Sequence, residues 1–247
     1  MPRFFVQPEQ INSDTALIKG PDVKHISRVL RMAVGDSLTL LDGRGNVYLA
    51  EIVEINKEEV QCKILEQQAA NSEPKVQVTL VQGLPKGDKM ETIIQKCTEL
   101  GVSRVIPLAA ARSVVKLDAN KAADRQQRWQ RVAMEAAKQC RRAGIPEVHR
   151  VSDWDTILAK LPPDALVLMP WEAEKSQSLG EILRQKTVAP PEVYIFIGPE
   201  GGFEDDEAQR LKDKGYHLVT LGNRILRTET AGPAALTMVL YQYGELG

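Results

Sequence analysis

Short runs in which apolar and polar residues alternate make up the N-terminal part of the chain, from Arg3 to about Glu66. A two-residue repeat of this kind is typical of a strand with one buried face. Such runs cover residues 37–41, 46–55 and 59–65, and the sequence Asp42-Gly43-Arg44-Gly45 predicts a hairpin turn between the first two. The pattern therefore predicts a small β domain.

One helix interrupts these strands, and it begins at Gly20-Pro21-Asp22. Apolar residues follow at helical spacing, and we expect them to form one buried face: Val23, Ile26, Val29 and Leu30. The opposite face carries Lys24, His25, Arg28 and Arg31. Together with Arg3 and Arg44, these side chains predict an exposed basic patch that suits a phosphate backbone.

Strand-like runs alternate with helical patterns in the remainder of the chain. Residues 67–74 are mostly small or polar and show no repeat, which predicts a linker. Strands are predicted at 76–81, 104–107, 166–169, 193–197 and 217–221, and helices at 88–100, at 118–143, before Gly215 and after Arg227. This order predicts an α/β domain with a largely parallel sheet over residues 75–247, preceded by the β domain over residues 1–70.

The composition is that of a globular protein, since 43% of the 247 residues are hydrophobic. Cys62, Cys97 and Cys140 lie far apart, so neither a disulfide framework nor a thiolate metal site is predicted. No apolar run approaches the roughly 20 residues that span a bilayer, and the first residues lack a signal pattern. We therefore expect a cytoplasmic protein that contacts no membrane. With 32 basic against 33 acidic residues, the net charge indicates no particular partner.

Two glycine-rich loops each join a predicted strand to a predicted helix. The first is Ile197-Gly198-Pro199-Glu200-Gly201-Gly202-Phe203, and the second is Leu221-Gly222-Asn223-Arg224-Ile225-Leu226-Arg227-Thr228-Glu229-Thr230-Ala231. Glycines let backbone groups approach a ligand, and ligands of open α/β sheets collect at the carboxyl ends of the strands. One such loop alone is equally compatible with a tight turn. Two loops, with Pro170-Trp171-Glu172 after a third strand, predict a shared ligand crevice.

Acidic residues in and beside the first loop restrict the ligand, because Glu200 and the run 204–207 would repel a polyphosphate. The segment Gly83-Leu84-Pro85-Lys86-Gly87-Asp88-Lys89 falls one residue short of a phosphate-binding loop and has Asp88 where that loop has a lysine. Residues 43–48 lack the last glycine of a dinucleotide fingerprint. These observations disfavour nucleoside triphosphates and NAD, and a cationic sulfonium nucleoside without phosphates stays compatible.

The predicted helix at 118–143 is strongly basic. Against Asp124 and Glu135 stand Lys121, Arg125, Arg128, Arg131, Lys138, Arg141 and Arg142. We expect an apolar stripe on this helix to be buried, and so to turn the cations outward: Trp129, Val132, Ala133, Ala136, Ala137 and Cys140. An exposed cationic stripe suits an RNA backbone, and a merely solvated charged face is the alternative.

The two glycine-rich loops closely resemble those of the SPOUT, or α/β-knot, methyltransferases, and more narrowly the bacterial ribosomal RNA small subunit methyltransferase E family. Similar motifs run along nearly the whole chain, at 25–31, 86–91, 99–102, 111–113 and 128–142. The resemblance implies methylation of N3 of a specific uridine in the decoding region of 16S ribosomal RNA, with S-adenosylmethionine as cofactor and no metal. It also implies a PUA-like N-terminal β-barrel domain, a C-terminal trefoil-knotted domain with a parallel sheet, and a homodimer that acts on RNA of the small ribosomal subunit.

The resemblance implies roles for individual residues as well. It assigns S-adenosylmethionine binding to Met169, Pro170, Gly198, Glu200, Gly201, Gly202, Leu221, Gly222, Ile225, Leu226 and Ala231. Arg227 and Glu229 are candidates to orient or deprotonate the uracil, with Arg142 reaching across a dimer interface. A salt bridge between Arg227 and Glu229 that only fixes the loop is the alternative. Candidate RNA contacts are Arg3, Lys24, His25, Arg28, Arg31, Arg112, Arg128 and Arg131. A Gly201→Val substitution is expected to obstruct the first loop and abolish cofactor binding.

Two other functions fit parts of this pattern. A SPOUT methyltransferase that acts on tRNA, on 23S rRNA or on a ribose 2′-hydroxyl would carry similar loops, although the full-length resemblance argues against it. A ribosome assembly factor that binds RNA without catalysis would be expected to have lost the loop glycines, and these are intact.

Overall fold

A five-stranded sheet forms the N-terminal part of the computed structural model, which describes residues 1–69, 72–114 and 118–247. Its strands lie in the order β1-β3-β4-β5-β2. They are β1 (Arg3–Phe5), β2 (Thr15–Lys19), β3 (Ser37–Leu41), β4 (Asn46–Ile55) and β5 (Glu59–Ala69). β1 is parallel to β3 and the other pairs are antiparallel. The predicted runs at 37–41 and 46–55, and the hairpin between them, are confirmed with the predicted bounds.

The third predicted strand is longer than its apolar pattern indicated. β5 continues to Ala69, because β4 is long enough to pair with it as far as Asn46. Residues 67–69 were expected to begin the linker, and this was wrong: a backbone that finds a complete antiparallel partner stays extended even where its side chains are polar. Residues 70 and 71 of the predicted linker lie outside the described residues.

The predicted helix after Gly20 is short and irregular. It begins as α1 (Pro21–Lys24) and continues as a π-helix over His25–Val29. Val23 and Ile26 are buried as expected, but Val29 is 67% and Leu30 40% exposed, so their predicted burial was wrong. The π-helical turn is wider than an α-helical turn, and it rotates the residues after Ile26 away from the buried face.

The larger, C-terminal part of the described chain contains a six-stranded sheet in which all neighbouring strands are parallel. The strand order is β11-β9-β10-β6-β7-β8. The strands are β6 (Gln77–Gly83), β7 (Arg104–Leu108), β8 (Glu147–Val148), β9 (Leu166–Pro170), β10 (Glu192–Ile197) and β11 (His217–Val219). The helices are α2 (Lys89–Leu100), α3 (Ala119–Cys140), α4 (Trp154–Leu158), α5 (Leu179–Gln185), α6 (Asp205–Asp213) and α7 (Thr228–Gln242). The predicted parallel α/β arrangement is therefore confirmed. The sequence pattern did not predict β8, α4 and α5, because these elements are short.

The apolar stripe predicted on α3 is largely confirmed, since Trp129, Ala133, Ala136 and Ala137 are buried. The helix ends at Cys140 rather than at residue 143. Arg141 has a φ of 64°, a left-handed conformation that stops an α-helix.

Contacts divide the described chain into two units. The first comprises residues 1–73 and 137–145, and the second comprises residues 74–136 and 146–247. In the first unit, the segment 137–145 joins the N-terminal strands, and the amide of Ile145 donates to the carbonyl of Gly43 at 2.9 Å. No sequence pattern indicated that this segment belongs with the N-terminal strands.

The last part of the second unit crosses the carboxyl ends of three strands. β11 pairs with β9 at one edge of the sheet, where Val219 lies beside Pro170. Nine residues later, the Thr228 hydroxyl donates to the carbonyl of Gly198, at the end of β10. The chain between these points therefore passes over the end of β9, and it brings the second glycine-rich loop against the first. Among the described residues, no helix combines the length and apolar character needed to cross a membrane.

Candidate active site

The carboxyl ends of β9, β10 and β11 surround a cleft of about 850 Å³. Three loops line it, over residues 170–175, 197–203 and 220–231, and Lys89 lines it from the start of α2. All three loops follow parallel strands of one sheet, so their backbones meet at the same edge. The predicted crevice is present in the structure.

Steric limits explain the glycines at the two ends of the first loop. A Cβ atom on Gly198 would lie 2.9 Å from the backbone carbon of Gly202, which is too close for any side chain. Gly202 has a φ of 69°, and a Cβ there would point toward the Glu172 carboxylate, 3.7 Å away. These positions keep the loop folded on itself and leave backbone groups bare on the cleft wall.

Gly201 plays a different part from its two neighbours. It does not belong to the residues that line the cleft, and a Cβ atom there would lie 3.2 Å from the Cβ of Arg112. Arg112 donates from Nη1 to the carbonyl of Gly201 at 2.9 Å, and it contacts Glu204 at 3.9 Å. The Gly201→Val side chain would therefore press against Arg112, which braces the first loop, rather than project into the cleft.

A buried polar network ties the first loop to the start of α7. The Thr228 hydroxyl donates to the carbonyl of Gly198 at 2.7 Å, and Gln82 Nε2 donates to Thr228 Oγ1 at 2.9 Å. Gln82 is fully buried and Thr228 nearly so. Sequence reasoning missed Gln82, because a lone amide inside an apolar strand carries no local signal.

A charged cluster stands at the edge of the cleft next to this network. Lys89 Nζ lies 3.0 Å from Glu200 Oε1 and 3.4 Å from Glu229 Oε2. Glu200 also accepts the amide of Lys86 at 3.1 Å. Burial opposes ionisation of Glu200, but backbone N–H groups and Lys89 hold its pKa below the ordinary value. The hydrogen bond to Glu200 raises the pKa of Lys89, so the ammonium is charged at neutral pH.

The position of Lys89 bears on whether Arg227 and Glu229 form a salt bridge with each other. The ion partner of Glu229 is Lys89, and no ion pair joins Glu229 to Arg227 in the described part of the chain. The alternative of a structural salt bridge between them is therefore wrong. Arg227 is exposed at the N-cap of α7, and Glu229 Oε2 is buried with Lys89 Nζ beside it at 3.4 Å.

The structure collects most of the proposed cofactor residues around the cleft. Those that line it are Pro170, Gly198, Glu200, Gly202, Leu221, Gly222, Ile225, Leu226 and Ala231. Met169 is instead fully buried in the core beneath. Lining residues that the sequence argument did not propose as ligands include Lys89, Trp171, Glu172 and Thr220. Lys89 enters from a distant part of the sequence, which no local motif reveals.

The proposed RNA-contacting cations occupy several places. In the first unit, Lys24, His25, Arg28 and Arg31 are exposed on α1 and the turns that follow it. Arg3 is also exposed there, and it donates to the carbonyl of Arg141 at 3.2 Å.

In the second unit, Lys121, Arg128 and Arg131 of α3 are exposed and Arg125 is half-buried, and some of these side chains form ion pairs. Arg128 forms an ion pair with Glu91 at 2.7 Å, whereas Arg131 donates to the carbonyl of Gln127 on its own helix at 3.4 Å. Arg112, as described above, braces the first glycine-rich loop.

Arg142, the third proposed catalytic residue, lies in the first unit. Its side chain is 7% exposed, and its Nη2 lies 2.7 Å from Glu73 Oε2. Glu73 also accepts the amides of Ala143 and Gly144 at 3.0 and 2.9 Å. Burial raises the pKa of Glu73, but Arg142 and the Gly144 amide lower it further, and the net result is a pKa below the ordinary value.

Comparisons with known proteins identify the family. A profile described as an RNA methyltransferase domain matches residues 71–240, and one described as an RNA methyltransferase PUA domain matches residues 18–65. Ribosomal RNA small subunit methyltransferase E of Bacillus subtilis is 38% identical to this chain, over 98% of the chain and 97% of the relative. The chain belongs to the ribosomal RNA small subunit methyltransferase E family.

Other members of this methyltransferase E family agree with the assignment. The protein of Synechocystis is 36% identical over 96% of this chain and 76% of its own length. A crystal structure of the Neisseria gonorrhoeae member, bound to S-adenosyl methionine, has a TM-score of 0.83 and 32% identity, and covers 98% of this chain and 97% of that one. The predicted fold class is confirmed: a SPOUT methyltransferase domain with a parallel sheet, preceded by a small PUA-like β domain.

Proposed function

We propose that this chain transfers a methyl group from S-adenosylmethionine to N3 of one uridine in the decoding region of 16S ribosomal RNA. Membership of the methyltransferase E family supports the more general part of this proposal, that the chain is a methyltransferase of small-subunit ribosomal RNA. The observation that carries the proposal is the cleft, where two glycine-rich loops present bare backbone beside the Glu229 carboxylate, which pairs with Lys89 at 3.4 Å.

The cleft suits a nucleoside that carries a positive charge and no phosphate. Its volume of about 850 Å³ is within the range of small-molecule sites. Gly202 leaves open the space that a side chain would fill, and Glu172 stands beside that space as a carboxylate. In this proposal the adenosylmethionine is held by backbone groups of residues 198–202 and 221–226, with Pro170 and Ala231 against its apolar parts. When bound, it supplies an electrophilic methyl group on a positively charged sulfur.

Glu229 is our proposed acceptor for the uracil N3 proton. The proton must leave as the new N3–methyl bond forms, and the Glu229 carboxylate lines the cleft, where it can accept that proton. Arg227 is exposed beside the cleft, and we propose that it donates hydrogen bonds to the uracil carbonyl oxygens. Most of the rate acceleration then comes from fixing the two reactants in line.

The remaining parts of the proposal concern RNA, assembly and location. We propose that residues 1–70 form a PUA-like RNA-binding domain and residues 75–247 the methyltransferase domain. The exposed cations Lys24, Arg28 and Arg31, on α1 and the segment that follows it, support RNA contact, because phosphate binding needs such a surface. We further propose a cytoplasmic homodimer that acts within the small ribosomal subunit. In it, Arg142 serves the partner's site across the interface, and the proposed RNA-contacting residues meet the bound RNA.

The test is a methylation assay with labelled S-adenosylmethionine and small ribosomal subunits from a strain that lacks this protein. Incorporation into 16S RNA, together with a primer-extension stop in the decoding region, is the expected result, because an N3-methyl group blocks the pairing face. The same assay is run with 23S RNA, tRNA and protein-free 16S RNA as comparison substrates. Label in tRNA or 23S RNA instead would favour a different SPOUT specificity, and RNA binding without any transfer would favour an assembly factor.

A further inference from the structure

Lys89 occupies an electrostatically unfavourable position. It is the first residue of α2, where the unpaired N–H groups already carry partial positive charge. A cation is disfavoured at that end of a helix, so Lys89 does not serve the stability of α2. Its side chain instead extends to Glu200 at 3.0 Å and to Glu229 at 3.4 Å.

The two carboxylates belong to different walls of the cleft. Glu200 lies in the first glycine-rich loop, and Glu229 lies in the first turn of α7, after the second loop. Without the ammonium between them, two negative charges would face each other across the mouth of the cleft. Lys89 thus joins the two loops through a charge that neither of them supplies.

A second connection between the same walls differs in its surroundings. The Gln82–Thr228–Gly198 network is neutral, and the side chains of Gln82 and Thr228 are buried. The Lys89 side chain is 36% exposed and lines the cleft. The charged connection is therefore the more solvent-exposed of the two.

We propose that Lys89 is a positioning residue for the methyl transfer. Its ammonium holds Glu200 and Glu229 together, sets the separation of the two cofactor-binding loops, and aims the Glu229 carboxylate at the uracil. The segment 83–89, which falls short of a phosphate-binding loop, thereby has a function through its last residue, Lys89, which lines the cleft. This inference rests on the proposed function, since it assigns Lys89 a part in the same reaction.

The experiment compares full-length Lys89→Met, Lys89→Arg and Lys96→Met proteins. Lys96 is the matched control, because it lies on the same helix and forms a comparable exposed ion pair with Glu99. Calorimetric titration with S-adenosylmethionine and steady-state methylation of small subunits give the dissociation constant and kcat. We expect Lys89→Met to raise the dissociation constant and to lower kcat, each by about tenfold. Lys89→Arg should recover most of both, and Lys96→Met should match wild type.

A double-mutant cycle with Glu200→Gln separates positioning from general folding effects. If Lys89 acts through Glu200, the affinity of the double variant should equal that of Glu200→Gln alone. Fully additive losses would overturn the proposal, as would a Lys89→Met protein with wild-type affinity and kcat. A lower melting temperature in Lys89→Met with no rescue of kcat by Lys89→Arg would also overturn it. Wild-type protein that binds no S-adenosylmethionine would overturn the proposed function as well, which distinguishes the two failures.

Discussion

At the scale of single residues, neighbouring glycines of one loop do different things. Gly198 and Gly202 are required by the path of the backbone, the first because a Cβ would strike the chain and the second because its φ is positive. Gly201 has an ordinary φ and instead makes room for Arg112. Three glycines that look equivalent in the sequence therefore differ in what a side chain would disturb.

Alanine substitutions at Gly201 and Gly202 should separate the effect of contact with Arg112 from the effect of a positive φ. Gly202→Ala forces an L-residue into the left-handed region, at a cost of about 1–2 kcal/mol, so the affinity for S-adenosylmethionine should fall by about five- to thirtyfold. Gly201→Ala requires only a small movement of Arg112, and we expect a loss below about threefold. Calorimetric titration measures both. Equal losses in the two proteins would contradict this division of roles.

The Glu73–Arg142 pair is the clearest case in which burial decides a residue's role. Arg142 is almost completely buried, and its counter-charge is Glu73, at 2.7 Å. Removal of one partner from a buried pair leaves an uncompensated charge, which costs about 3–5 kcal/mol. The pair therefore matters for the stability of the first unit, whatever Arg142 contributes elsewhere.

Glu73→Gln should lower the free energy of unfolding at pH 7 by about 3 kcal/mol. Because the folded-state pKa of Glu73 is depressed, its ionisation stabilises the protein above the unfolded-state pKa, and this contribution is lost as the pH falls through the folded-state pKa. The difference between wild type and Glu73→Gln should therefore shrink on acidification below the ordinary value of 4.5. Urea unfolding at several pH values measures it. A difference that stays constant with pH would refute the assigned role.

At the scale of elements, the start of α7 is fixed by contacts with two strands. Thr228 begins this helix, and its hydroxyl bonds link it to the ends of β10 and β6. The same turn carries Glu229, so the Thr228 contacts also set where the proposed proton acceptor lies. Thr228 consequently couples the position of α7 to the position of the Glu229 carboxylate.

Thr228→Val keeps the shape of the side chain and removes the hydroxyl. The carbonyl of Gly198 and the amide of Gln82 would each lose a buried partner, so we expect a loss of about 1–3 kcal/mol in unfolding free energy. Cofactor affinity should fall as well, because the first loop is released from α7. Thr237→Val is the control, since its hydroxyl bonds only the carbonyl of Pro233 on the exposed side of the same helix. Similar effects of both substitutions would argue against the coupling.

At the scale of the whole molecule, α7 also bears on assembly. This helix is apolar on most of its surface, and Met238 and Tyr241 remain 42% and 70% exposed near its end. Exposed apolar residues grouped on one helix favour a protein contact. In a homodimer with twofold symmetry, the same face would meet its copy.

Tyr241→Glu should convert the proposed dimer to monomer, because a charge would be buried at the centre of a self-complementary contact. Val188→Glu serves as the control, since Val188 is 81% exposed in the loop between α5 and β10. Sedimentation equilibrium gives the oligomeric state of each protein. A wild-type monomer, or dissociation caused equally by both substitutions, would rule out this face as the interface.

The sequence alone determined much of this protein. Period-two runs located β3 and β4, an apolar strand followed by glycines located the first loop, and the alternation of strands and helices predicted a parallel sheet. These features are local, because side-chain periodicity and glycine conformations depend on nearby residues. The family resemblance added the fold class, which family comparison confirms.

Only the tertiary structure decided which residues meet. It paired Glu229 with Lys89 rather than with Arg227, turned Gly201 toward Arg112, and placed segment 137–145 with the N-terminal strands. It also exposed Val29, where a π-helical turn replaced the expected α-helix. Each outcome depends on contacts between residues far apart in the chain or on a small change in helical pitch. Neither long-range contacts nor a local change of helical pitch produces a repeating pattern of apolar residues. The sequence pattern therefore does not predict them.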